Sequence, residues 1–104
     1  MIRSPLFLIL RAGMVLRVPL PPYPVARRVT VTVTAYAVPV LVYVVTENGL
    51  DAFNAGVNFP VLAGDNVADK THAFRVVVPS GTNSYLLIKN PDPKAWTSMS
   101  YSIT

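Results

Sequence analysis

A chain of 104 residues, 52% hydrophobic and only 13% charged, has room for one domain with one buried core, and that balance excludes a disordered chain. It contains no cysteine, which rules out a disulfide framework, a thiolate metal site and a thiol nucleophile. The net charge of +4 is unevenly placed, because Arg3, Arg11, Arg17, Arg27 and Arg28 all precede the first acid, Glu47.

Seventeen valines, ten prolines and no glutamine point to strands separated by turns. Leu6 to Leu10 reads as the first strand. It is too short for the apolar region of a secretory signal, so a cytoplasmic location is expected. Arg11-Ala12-Gly13 reads as a turn and Met14 to Val18 as a second strand. Pro19 to Pro24 holds four prolines; lacking the amides of a central ladder, it is expected to cross from one sheet edge to another in extended conformation.

In Val29 to Tyr36, Val29, Val31, Val33 and Ala35 alternate with Thr30, Thr32, Thr34 and Tyr36, which gives a strand with one apolar and one polar face. Val40 to Thr46 is apolar on both faces, as an inner strand should be. The 18 uncharged residues between Arg28 and Glu47 match the length of a membrane-spanning helix. Four threonines, Pro39 and the period of two favour a pair of strands instead, so no membrane span is expected.

Glu47 to Gly56 breaks the β pattern and reads as one short helical turn. Val57 to Ala63 reads as a weak strand and Gly64 to Thr71 as a polar loop. Phe74 to Asn90 is the most fully specified stretch: strands at Ala73 to Val78 and Ser84 to Lys89 read as a hairpin joined by Pro79 to Asn83. In that loop Pro79 fixes φ and Gly81 tolerates positive φ. Asn90-Pro91-Asp92-Pro93 ends the second strand. Ser98, Ser100 and Ser102 then alternate with Met99, Tyr101 and Ile103 in a last strand. The expected fold is all-β, a single antiparallel β-sandwich of jelly-roll or immunoglobulin-like type with roughly seven to nine strands.

Val78-Pro79-Ser80-Gly81-Thr82, the strand Tyr85 to Ile88 with Asn90 after it, and the closing Tyr101-Ser102-Ile103 resemble the end of the small β-sandwich modules related to the bacterial pre-peptidase C-terminal domain. Val40 to Glu47 with Phe53 and Gly56 is similar to the middle of such modules. The resemblance covers about two thirds of the chain. It implies an accessory module that binds carbohydrate or protein. The family's acidic residues before the Leu-Tyr pair are missing from Val40-Leu41-Val42-Tyr43.

For catalysis, His72 is the only imidazole; it could act with Asp65 or Asp69 across a loop, although a lone histidine at a strand start is more often a surface residue. Asp65-Asn66 with Asp69 offers oxygen ligands for calcium, but the spacing misses the EF-hand loop and lacks its bidentate glutamate, so a solvated turn is expected and neither metal nor cofactor. Arg11, Arg17, Arg27 and Arg28 could form a basic face toward nucleic acid or anionic lipid. With few interleaved aromatics and only one adjacent pair, scattered solubilising charges are the expectation, and a nucleic-acid partner is not.

Trp96, in the loop Asp92 to Thr97, is the best candidate for a ligand platform, with Tyr85 and Tyr101 as further ligand-binding candidates. Its plainer role is to cap one end of the sandwich. The sequence thus points to a noncatalytic binding or protein-interaction module for a protein or carbohydrate partner. The alternatives are a self-associating structural protein, paired through an edge at the Thr30, Thr32, Thr34 strand, and a weak hydrolase using His72. An exposed aromatic patch near Trp96 favours the first, a paired edge the second, and a His-carboxylate contact inside a cleft the third.

Overall fold

The computed structural model describes residues 2–4, 7–67 and 71–104. Its strands are β1 (Ile2–Arg3), β2 (Leu8–Leu10), β3 (Val15–Leu20), β4 (Arg27–Ala35), β5 (Val40–Thr46), β6 (Ala63–Val67), β7 (Thr71–Val78), β8 (Ser84–Lys89) and β9 (Thr97–Ile103), with one helix, α1 (Glu47–Asn54), among the described residues. Two antiparallel sheets form. In the front sheet, β9 pairs with β1 and β2 on one side and β4 on the other, and β4 pairs onward with β7. The back sheet runs β3-β8-β5-β6. The 18-residue uncharged stretch forms β4 and β5, and no helix among the described residues is long and apolar enough to cross a membrane.

The pairings β2 with β9, β3 with β8, β4 with β7 and β5 with β6 match the first four of these strands, in reverse, to the last four. Successive pairs alternate between the two sheets. The chain is therefore one long ribbon wound on itself, which is the jelly-roll arrangement rather than the immunoglobulin-like one. The alternation in β4 fixes which way it faces. Val29, Val31, Val33 and Ala35 point inward with Val76, Val78, Met99 and Ile103, and meet Val18, Leu20, Val40, Val42, Val44, Leu86 and Ile88 from the back sheet. Burying that apolar face is what holds the two layers together, at roughly 25 cal/mol per Å².

Four expectations about the strands need correction. The strands β7 and β8 do not form a hairpin: β7 pairs with β4 in the front sheet and β8 with β3 and β5 in the back. Pro79 and Gly81 do reverse the chain, with Gly81 at φ +70°, but the reversal crosses between sheets. Second, Val57 to Ala63 is irregular apart from its last residue, and the strand lies at Ala63–Val67 within the supposed loop. There β5 supplies backbone partners to Gly64, Asp65 and Asn66, and pairing overrides their low strand preference. Third, β3 continues through Pro19, which an edge strand tolerates because one side of it has no ladder to donate to. Last, the Thr30, Thr32, Thr34 strand is paired on both sides, by β7 and β9, so edge pairing through it is excluded. Among the described strands, the longest one paired on one side only is β7.

Helix α1, an eight-residue helix rather than a single turn, covers the outer face of the back sheet. Val45 and Leu87 are buried there, outside the main core. Phe59 meets Tyr43 and Phe53 edge to face at 5.3 and 5.1 Å. Close approach explains Gly49: a Cβ at that position would lie 2.7 Å from the Pro60 carbonyl oxygen and 2.9 Å from Val45 Cβ.

Candidate binding site

Among the described residues, no element covers the corresponding outer face of the front sheet. By register, Thr30, Thr32 and Thr34 of β4 lie beside Ser102 and Ser100 of β9 on one side and Arg75, Ala73 and Thr71 of β7 on the other. The Thr34 and Thr71 hydroxyls are 2.7 Å apart, and the Tyr36 hydroxyl is 3.2 Å from Ser100 Oγ. The alternation of Ser and Thr with apolar residues, required to fill the core, thus leaves a hydroxyl array facing solvent.

At one end of this face four large apolar side chains stand exposed: Trp96 (59%), Ile9 (66%), Phe7 (59%) and Tyr36 (51%). Phe7 and Tyr36 contact edge to face with centroids 5.2 Å apart. Trp96, Ile9 and Ala12 line a groove of about 460 Å³ whose other walls are Arg11 and Lys94. Two further depressions open on the same sheet. One of about 390 Å³ lies among Arg3, Ser4, Thr32, Thr34, Ser100, Tyr101 and Ser102; one of about 480 Å³ lies among Thr30, Ala73, Phe74 and Arg75.

The loop carrying Lys94 and Trp96 is held by hydrogen bonds. Buried Asn90 donates through Nδ2 to the Leu10 and Ala95 carbonyls at 3.0 and 2.8 Å, and its Oδ1 accepts from the Asp92 amide at 3.1 Å. Asp92 Oδ1 accepts from the Lys94 and Ala95 amides, both at 2.8 Å. Those bonds, first from Ala95 and then from Lys94, hold the Asp92 carboxyl below its ordinary value of 3.8. The Gly13 amide donates to the Asn90 and Asp92 carbonyls, which ties the Arg11 turn to the same loop. The groove is therefore preorganised around Asn90 and Asp92, residues whose sequence signature is only that of a strand terminator.

The three aromatic candidates do not converge. Tyr85 lies on the outer face of the back sheet, level with Pro19 and Val45. Tyr101 shares the inward register of Val33 and packs against the core, bordering only the Ser100–Ser102 depression. Trp96 is joined instead by Ile9, and Phe7 and Tyr36 pair with each other. The pattern that hid Phe7 and Ile9 is the unbroken apolar run around them; alternate residues of that run face opposite ways once β2 pairs with β9, Ile9 opposite Ser98.

The four arginines of the supposed basic face also separate. Arg11 walls the Trp96 groove, and Arg28, level with exposed Val77, projects from the front sheet. Arg17 is on the back sheet, where its Nη2 donates to Asn54 Oδ1 at 2.8 Å and its guanidinium lies 5.7 Å from the Phe53 ring centre. Arg27 stacks over Tyr23 at 4.6 Å.

His72 Nδ1 does approach Asp65 Oδ2, at 3.1 Å, with the side chains 40% and 37% exposed. The pair spans the rim between β7 and β6. Asp69, the third member of both the hydrolase and the calcium readings, lies outside the described residues. Among those residues no three His, Cys, Asp or Glu side chains gather as a metal site. No protein-family model matches the chain, and no curated protein matches it in sequence.

Proposed function

We propose that this protein is a noncatalytic binding module that takes a carbohydrate on the outer face of its front sheet, with Trp96 as the stacking platform. The observation that carries this reading is the exposed indole, paired with Ile9 in an open groove on a loop fixed by buried hydrogen bonds. A sugar ring presents an apolar face to an aromatic ring and hydroxyls at its rim. The adjoining serines and threonines supply donors and acceptors for that rim. The resemblance to pre-peptidase C-terminal modules points the same way. The His72–Asp65 pair gives the hydrolase reading less support, because a rim open to water offers no enclosed site for a reacting bond.

Trp96 is the single tryptophan, so its fluorescence reports on the site directly. Titration with soluble polysaccharides should shift its emission. Affinity electrophoresis should show retardation that Trp96→Ala abolishes, with the melting temperature unchanged. Unaltered emission and migration with every polysaccharide, neutral and charged, would overturn the reading.

A further inference from the structure

We infer that the ligand is an acidic polysaccharide, lying across the front sheet from the Trp96 groove to Arg75; this rests on the carbohydrate reading above and narrows it. The strands of the front sheet contain no aspartate or glutamate; Glu47, Asp51 and Asp65 belong to α1 and β6, Asp69 lies outside the described residues, and Asp92, in the Trp96 loop, engages one carboxylate oxygen with the Lys94 and Ala95 amides. Cations occupy both ends of the face. Arg11 and Lys94 wall the Trp96 groove, Arg75 borders the depression between β4 and β7, and Arg28 is level with Val77 beside it. All four side chains are exposed. Four exposed cations thus border the hydroxyl array, and an excess of one sign along an open face attracts an extended anion.

Strand spacing gives the scale. Three gaps separate β2 from β7, about 15 Å across the sheet, and the Arg28, Arg75 pair lies at least six residues along β4 from the Trp96 end, about 20 Å, so the cation pairs are on the order of 25 Å apart. A single charged sugar cannot bridge that distance, but a chain of several rings can. Between the two pairs the surface is Thr30, Thr32, Thr34, Ser100 and Ser102, groups that exchange hydrogen bonds with sugar hydroxyls and offer nothing for bases to stack on. A single-stranded nucleic acid needs rings spaced along its path, whereas here the rings cluster at one end.

The test uses polygalacturonate, neutral dextran and single-stranded DNA with the intact protein, followed by calorimetry and Trp96 emission. Polygalacturonate should bind and dextran should not. With four ion pairs, raising salt from about 50 to about 200 mM should weaken binding roughly 50-fold. Arg11→Ala with Lys94→Ala, and separately Arg28→Ala with Arg75→Ala, should each weaken binding at the lower salt and cut the loss over that salt range to about sevenfold, as expected when half the ion pairs go. Circular dichroism and melting should be unchanged in both variants.

Equal binding of dextran, lost in Trp96→Ala, would overturn the acidic ligand and leave carbohydrate binding standing. A silent Arg28, Arg75 variant would overturn the path across the sheet. Loss of affinity of the same size in Lys89→Ala, on the back sheet, would reduce the effect to net charge and overturn the site. DNA binding at least as tightly as polygalacturonate would replace the glycan with nucleic acid. No binding of polygalacturonate, with Trp96 emission constant, would overturn the acidic ligand, and the carbohydrate reading falls with it only where the other neutral and charged polysaccharides are silent too.

Discussion

The outer faces of the two sheets start from similar strands and end differently. On the back sheet, Tyr43, Val45 and Leu87 are apolar, and the chain returns over them as α1 and the Phe59 segment. On the front sheet the corresponding positions are Thr32, Thr34, Ser100 and Ser102, and no described segment returns over them. A β-sandwich needs only one apolar face per sheet for its core. The second face is therefore free to record a different demand: stability where it is apolar and covered, contact with a partner where it is polar, charged and open.

The sharpest way to break this contrast is to truncate one side chain on each face. Leu87→Ala should cost about 2–5 kcal/mol, as for a fully buried leucine, whereas Ser102→Ala should stay within about 0.5 kcal/mol. Urea denaturation measures both. Equal losses would mean that the front face contributes to the fold as the back one does.

A smaller effect is expected where the helix presses closest. Gly49→Ala would gain up to about 1 kcal/mol of helix preference, but overpacking against the Pro60 carbonyl costs about 1–3 kcal/mol. The expected net loss is up to about 2 kcal/mol, read from the same curves. A stabilised variant would show that α1 rests loosely on its sheet.

The smallest and most local effect concerns the Trp96 loop in acid. The folded value of Asp92 lies below its ordinary 3.8, so the hydrogen bonds it accepts contribute stability above the unfolded value. That contribution is lost as pH falls through the lower, folded one. Trp96 emission, followed from about pH 5 downward, should change in that acid range, and Asp92→Asn, which keeps an acceptor oxygen but does not titrate, should flatten the change. An identical curve in Asp92→Asn would detach the loop from this carboxyl.

How much of this was legible in the sequence depended on distance along the chain. The alternation from Val29 to Ala35 is local, and it gave both the strand and its inward face. Pro79 and Gly81 announced a reversal, yet a turn's chemistry is the same whether the next strand joins the same sheet or the opposite one; β8 goes to the back sheet because β3 and β5 supply its partners. Ala63 to Val67 is a strand by pairing and not by composition. At the candidate site, Trp96 could be singled out as a lone ring among turn residues. Its neighbour Ile9 stands 87 positions earlier and becomes a neighbour only through the β2–β9 register.

That register also governs how the molecule is made. The last strand in chain order, β9, lies inside the front sheet, between β1 and β2 on one side and β4 on the other. During synthesis the earlier strands of that sheet emerge with a gap where β9 belongs, so β1 and β2 have no ladder to join until Thr97 to Ile103 has left the ribosome. Contacts spanning nearly the whole chain are slow to form, and the wait leaves apolar strands uncovered. Emergence of β9, rather than elongation through the earlier strands, is then the step on which completion of this sheet waits.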